Sequence, residues 1–405
     1  MGQAVESAVV ERMVAIRRDL HRYPELSWQE YQTAERISAA LYELEIPQRR
    51  LMGTGVVADL PGGDGLDAVA LRADIDALPI QEETGLPFAS ANDGVMHACG
   101  HDGHTSILLG AAELLAREGD LPAPVRLIFQ PAEEKGAGAK ALMEAGVLEN
   151  VAMAFAGHLD RHFPTGILVV TDGVVSASTD HFKICVTGLG GHAARPHETI
   201  DAVVVGSLIV TAIQTIVSRE IDPTHPSIVT VGRFEAGKVP NVIAGRAELE
   251  GTIRAQDPQV REHLKKSIRR MAESIGQLHQ AGLEVEITNG TPPVINTPNA
   301  TALARRAAVE VVGEEHVRTL GRANMGGEDF AYYLAEIPGC YIRFGARPPG
   351  GSGFAAHSSR FDFDEEALPI GAAWMAEVAR RAGAALKNGD LDVSDRFERV
   401  SGVVP

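Results

Sequence analysis

The chain has 405 residues, more than one ordinary core holds, and at about 100–200 residues per domain it should form two. Lys and Arg number 37 against 54 Asp and Glu, a formal charge of −17, so the basic footprint that nucleic acid or an anionic membrane requires is missing. A hydrophobic share of 45% and a charged share of 22% exclude a largely disordered chain, and three cysteines, an odd number, exclude a disulfide framework and point to a reducing compartment.

In chain order, the opening segment has helical periodicity to about residue 20, where Tyr23-Pro24 breaks it. Glu6 and Glu11 stand where a secretory signal needs an unbroken apolar stretch, so the expected location is the cytoplasm. A second amphipathic helix is expected from Ser27 to Leu44, with Ser27 and Glu30 spaced as a capping box. Val56–Leu60, Ala68–Ala73, Val125–Gln130 and Val151–Gly157 read as buried strands, with helices Gly103–Glu118 and Ala137–Ala145 between them. That alternation predicts an α/β domain with a largely parallel sheet, whose ligands sit beyond the carboxyl ends of the strands.

The rhythm then changes. Phe182–Val186, Ile228–Phe234, Ala247–Arg254 and Leu283–Ile287 read as strands, with helices over Thr199–Ser218 and Pro258–His279. Asp257 is the expected N-cap of the second helix and Pro258 its first residue. The apolar run Ala202–Val217 is broken by Ser207, Thr211, Gln214 and Thr215 and is shorter than the roughly 20 residues of a membrane span, so a buried helix is expected. The order β-α-β-β-α-β is that of a ferredoxin-like domain. The α/β pattern resumes with a helix from Ala300 and a strand at Cys340–Phe344, and the last fifteen residues look frayed. The prediction is a discontinuous α/β domain, residues 1–180 and 294–405, with an inserted α+β satellite domain, residues 181–293.

Chemistry concentrates in a few segments. MHACGHDGH, Met96–His104, gathers three histidines and a cysteine, which makes either a polar loop around a buried Cys99 or a metal cluster. Asp74 and Asp76 follow a buried strand two residues apart and so share a side. They are either a solvated turn or part of a metal site. Glu133 and Glu134 in QPAEE, and His158 after Val151–Gly157, also follow strands. Singly, each is an ordinary surface or structural residue; together they put Cys, His, Asp and Glu on one rim of an α/β sheet. Cys185 and Cys340 lie in apolar strands and read as packing residues.

The segments HxCGHDxH, DxDALP, QPxEE, GGHAARPH, MGGEDF and HS resemble the M20 metallopeptidase family, in its amidohydrolase branch of hippurate, auxin-conjugate and N-acyl-amino-acid hydrolases. The likeness runs from His21 to about Asp362. It implies a metal-binding α/β domain carrying a satellite domain that commonly dimerises, hence a homodimer or higher homo-oligomer. It implies two divalent ions, manganese, zinc, nickel or cobalt, held by Cys99, His101, Glu134, His158 and His357. Glu133 would be the general base toward water activated by the metals, and Asp76 the carboxylate that orients a ligand imidazole. His192 would stabilise the oxyanion from a neighbouring subunit, and Asn241 and Arg254 would hold the substrate's α-carboxylate. Arg254, at a strand end, could equally form an exposed ion pair.

The implied reaction is hydrolysis of an N-acyl-amino acid to a carboxylate and a free amino acid. A dipeptidase or carboxypeptidase of the same superfamily, a Cys99 thiol nucleophile, and a non-catalytic metal or ligand sensor are the other readings. The segment after His158, Leu159–Gly166, departs from the branch pattern with Asp160, Arg161 and His162, and is expected to be a variable loop.

Overall fold

The computed structural model describes residues 5–348, 350 and 353–390. The terminal fifteen residues expected to fray, 391–405, lie outside the described residues. The chain divides into two compact units, Met1–Val175 with Ile295–Arg322 and Asp329–Pro405, and Ser176–Val294 with Ala323–Glu328.

The first unit is built on an eight-stranded sheet in the order Gln48–Leu51, Gly55–Leu60, Val125–Gln130, Ala68–Asp74, Val151–Pro164, Gly339–Arg347, Leu168–Val169 and Val317–Arg318. The four central strands are parallel, as the alternation with helices requires. The sheet is mixed rather than largely parallel, because antiparallel pairs flank that centre. The first hairpin turns through only Met52, Gly53 and Thr54, with Met52 and Gly53 at positive φ, and so short a connection joins only antiparallel neighbours.

Every residue of Ala68–Asp74 is buried. Val69, Leu71 and Ala73 face an apolar cluster with residues of helices Ser7–Arg22, His101–Glu118, Pro298–Val312 and Ala367–Asn388. Ala70, Arg72 and Asp74 alternate to the opposite face.

Two local expectations fail for physical reasons. The second helix runs Tyr31–Glu43, and neither capping-box residue caps it. Ser27 Oγ donates instead to Asp76, and the buried Glu30 accepts from Thr54 Oγ1 and the Ala132 amide, both at 2.9 Å. The segment after His158 is not a loop: the strand continues to Pro164, pairing Asp160 with Gly345 and Pro164 with Arg347. Its neighbour extends to Arg347, and a backbone ladder needs no apolar side chains.

The second unit is a four-stranded antiparallel sheet, ordered Ser227–Ala236, Arg246–Ala255, Asp180–Thr187 and Gly282–Asn289. Helices Ala202–Arg219 and Pro258–Leu278 cover one face, packing Ile209, Ile213, Leu264 and Ile268 against Phe182, Ile184, Leu249 and Ile253. Asp201 and Asp257 accept from the first-turn amides of these helices, and Pro258 opens the second. The strand and helix order is ferredoxin-like, as predicted.

The helix Ala202–Arg219 is not wholly buried. By length and composition alone (mean hydropathy 1.7) it could cross a membrane, but one face packs on the sheet while Val203, Val204 and Leu208 are exposed. Cys340 is a buried packing residue, its thiol pushed up to about 12 by burial. Cys185 is half-buried on the polar sheet face, 3.7 Å from Arg246 Nη2.

Candidate metal centre

Glu133 and Glu134 follow the carboxyl end of Val125–Gln130, His158 lies within Val151–Pro164, and Cys99 and His101 stand at the start of the helix His101–Glu118. Gly100, at φ 96°, turns the chain so that the helix His101–Glu118 starts immediately after Cys99. Cys99 Sγ lies 3.3 Å from His158 Nε2. His357, itself at φ 68°, donates its amide to the Ala98 carbonyl and brings Nε2 to 3.4 Å from Glu134 Oε1. His101 Nε2 stands 3.9 Å from Glu134 and 4.0 Å from Glu133.

Three groups of potential donors therefore overlap: Cys99, His101 and His158; Cys99, Glu134 and His357; His101, Glu133 and Glu134. All five predicted ligands and the predicted base come together. Cys99, His101 and Glu134 each belong to two of the groups, so the donors form one continuous cluster rather than separate sites.

Hydrogen bonding fixes which ring nitrogen faces the cluster. His101 Nδ1 donates to the Asp76 carbonyl at 2.9 Å, and His158 Nδ1 to the Leu159 carbonyl at 2.8 Å, so Nε2 of each ring is the nitrogen directed at the cluster. His104 is closed differently. Its Nδ1 donates to Asp74 at 2.6 Å and its Nε2 accepts from the Leu159 amide at 2.9 Å, so it has no nitrogen left to ligate. Asp74 is occupied by His104 and Arg72, a buried structural pairing rather than a solvated turn.

The Asp76 carboxylate clasps the site from beneath. It accepts from the amides of Glu133 and Glu134, each at 3.1 Å, and from Ser27 Oγ at 2.7 Å. A second clasp escaped the sequence reading. Buried Asp329 accepts from Gln130 Nε2, Arg72 Nη2 and the Ala139 amide, tying the start of the QPAEE segment to the helix that follows it. Its only sequence signal is its place as the second of two acidic residues in MGGEDF.

Residues 70–381 match the model of Peptidase family M20/M25/M40. The chain belongs to the M20 peptidase family. This M20 chain is 40% identical over 380 residues to N-acetylcysteine deacetylase of Bacillus subtilis (strain 168), spanning 92% of this chain and 97% of that protein. It is also 40% identical over 370 residues to thermostable carboxypeptidase 1 of Saccharolobus solfataricus, spanning 89% and 92%. Its fold matches the crystal structure of the Bacillus subtilis YXEP protein, a dinuclear metal binding peptidase from the M20 family, at TM-score 0.81 and 37% identity over 92% and 98% of the chains. The protein is therefore a metal-dependent M20 hydrolase of the amidohydrolase branch.

Its own residues fit the ions that M20 membership implies. His101 Nε2 is buried without a hydrogen-bond partner, and an orphan of this kind costs about 1–3 kcal/mol unless something completes it. Thiolate, imidazole and carboxylate donors are the set that late first-row divalent ions accept.

Burial and close charged neighbours set the charge of the donor histidines. Burial opposes the charged form of His101, but Asp74 and Cys99 outweigh it and hold the imidazolium well above its ordinary range. His158 is pushed the other way by burial, with the charges of His104 and Arg343 adding to it. His357 is raised to about 10 by hydrogen bonds to Cys99 and Glu134.

The residues predicted to bind substrate belong to the second unit. His192, on the short strand Gly191–His192, pairs with Val242, and the Ala193 amide donates to the Asn241 carbonyl at 3.2 Å, so His192 and Asn241 are neighbours. Both are exposed. Arg254 is half-buried, and burial lowers its pKa against the opposing charge of Asp180. No ion pair of Arg254 occurs among the described residues, so the exposed-pair reading is not met.

Proposed function

We propose that this M20 hydrolase cleaves the amide between an acyl group and the nitrogen of an amino acid, with Glu133 as general base. The observation that carries the reading is Glu133 standing within the overlapping donor groups while Asp76 grips its amide. Cys99, His101, Glu134, His158 and His357 would hold the two ions. Bound divalent ions polarise an amide carbonyl and acidify water, whichever of manganese, zinc, nickel or cobalt is present.

Glu133 takes the proton of the attacking water on a carboxylate oxygen and passes it to the departing nitrogen, so the amine leaves neutral. Asp76 keeps that carboxylate and the neighbouring Glu134 in register through their amides. His192 donates to the oxyanion, in a homodimer from the neighbouring subunit, and Asn241 and Arg254 take the α-carboxylate of the amino acid. The exposed Val203, Val204 and Leu208 of the satellite helix supply an apolar surface for such a dimer.

The test is a hydrolysis screen of acetyl-, benzoyl-, long-acyl- and indoleacetyl-amino acids, each with and without chelator. Release of free amino acid that a chelator abolishes is expected. Chelator-resistant, iodoacetamide-sensitive turnover would replace this reading with a Cys99 nucleophile. Carboxypeptidase action is the second reading, favoured by the Saccharolobus relative, and preferential cleavage of N-blocked dipeptides would select it.

A further inference from the structure

Among the described residues of the metal-binding unit three arginines are almost wholly buried, and two are conventionally neutralised. Arg17 pairs with Asp102, Asp362 and Glu365, and Arg72 with Asp74 and Asp329. Arg343, only 8% exposed, has neither a hydrogen bond nor an ion pair among the described residues. Its side-chain contact is the face of Tyr341, 5.1 Å from guanidinium carbon to ring centroid. A ring face offsets only part of what a guanidinium loses on leaving water.

Its position is adjacent to the donor groups. Arg343 lies opposite His158 in the parallel pairing of Gly339–Arg347 with Val151–Pro164, so the two side chains leave the sheet on one face. Ile342 and Phe344 point to the apolar cluster on the other face. Asp160, two residues beyond His158 on that strand, does not answer the charge. Its Oδ1 accepts from the amide and Nδ1 of His162, at 2.8 and 2.7 Å. The strand thus holds a rigid, planar two-pronged donor next to a proposed metal ligand, with no carboxylate of the described residues on it, and such a donor matches a carboxylate bidentately.

We propose that Arg343 binds a carboxylate on the acyl half of the substrate, so that the enzyme prefers half-amides of short dicarboxylic acids over plain alkanoyl amides. The inference rests on the function proposed above, in which Asn241 and Arg254 take the α-carboxylate and leave Arg343 for the acyl side.

The test compares kcat/KM for N-glutaryl- against N-pentanoyl-, and N-malonyl- against N-propionyl-amino acids, in the wild type, Arg343→Met and Arg343→Lys, each with its metal content measured. The wild type should favour at least one dicarboxylic member of these pairs tenfold or more. Arg343→Met should bring that ratio to unity or below, and Arg343→Lys should fall between. Glutaramic acid should also inhibit wild-type hydrolysis of an N-acetyl-amino acid at concentrations at least tenfold below pentanamide, a measurement that needs no variant. A wild type indifferent to the acyl carboxylate overturns the inference, as does Arg343→Met slowing both members of each pair equally. If no N-acyl-amino acid is cleaved at all, the proposed function falls with it; if alkanoyl substrates are cleaved without dicarboxylic preference, only Arg343's role falls.

Discussion

His101 Nδ1 donates to the backbone carbonyl of Asp76 at 2.9 Å and lies 3.3 Å from its Oδ1, so one aspartate faces a proposed ligand with both its main chain and its carboxylate. That carboxylate holds the amides of Glu133 and Glu134. Asp76→Ala leaves the carbonyl in place and strips both amides and Ser27 of their acceptor. Positioning groups behind metal ligands typically contribute 10–100-fold in activity or affinity, so kcat should fall by about that factor. Stability to urea should fall by roughly 2–3 kcal/mol for the orphaned donors. Unchanged turnover with an unchanged melt would show that the clasp is dispensable.

Glu133 and Glu134 are neighbours in sequence but should separate cleanly by substitution. Glu133→Gln keeps the shape and removes the base, and should lose about 10²–10⁴ in kcat while retaining metal measured by elemental analysis. Glu134→Gln replaces a donor oxygen shared by two groups and should lower metal content. Retained metal and retained turnover in both variants would exchange or dissolve the assigned roles.

The donor cluster was legible because its residues arrive in short contiguous motifs, whose likeness to the M20 family implied the ligand set that the residues alone left open. What holds it was not. Asp329 reaches Gln130 across 199 positions, and Arg72 across 257, with no local periodicity to report either pairing. The Ser27–Glu30 spacing satisfied the capping-box pattern, but both side chains answer tertiary partners, which local spacing cannot register. Asp160-Arg161-His162 looked like a loop because its polarity hid a backbone ladder set by the neighbouring strand. Strand and helix order, which depends on local periodicity, was read well enough to give both units.

Arg161 should position the segment that carries His357. Its Nη1 donates to the Phe354 carbonyl at 3.0 Å, and its guanidinium lies 5.9 Å from the centroid of Phe361. Phe354 and Phe361 bracket His357, so Arg161→Ala should loosen that donor. Titration of the metal-free protein should then show one ion bound roughly tenfold more weakly, the scale expected of groups that orient ligands. Equal affinities in variant and wild type would remove Arg161 from this role.

The buried pair His21–Asp102 makes stability depend on pH. His21 Nδ1 donates to Asp102 at 2.9 Å; burial disfavours its charge, but hydrogen bonds to Asp102 and Glu82 raise it to about 9. A histidine raised in the folded state contributes fully below its unfolded value of about 6.5 and loses that contribution as pH rises through about 9. The contribution is about 3 kcal/mol at 1.36 kcal/mol per pKa unit. Chemical melts of the wild type should weaken between pH 6.5 and 9, and those of His21→Gln should be flatter over that interval. Parallel profiles would mean that His21 folds neutral.

Gly138 opens the helix Gly138–Glu144 just after the two glutamates, and its lack of a side chain lets the QPAEE segment close. A Cβ there would stand 1.6 Å from the Pro131 carbonyl oxygen, a backbone atom with no rotamer to yield. The amide of the next residue, Ala139, donates to Asp329, so a shift at 138 pulls on the clasp as well. Gly138→Ala should therefore cost about 1–3 kcal/mol, as overpacking of a close site does, despite alanine's better helix propensity. Because the displaced backbone also carries Glu133 and Glu134, metal affinity should fall with stability. Gly119→Ala is the control: it has open space around its Cβ and lies far along the chain from the glutamates, so it should carry only the penalty of its positive φ. If Gly138→Ala melts like the wild type and binds metal equally well, the segment closes by some route other than this contact.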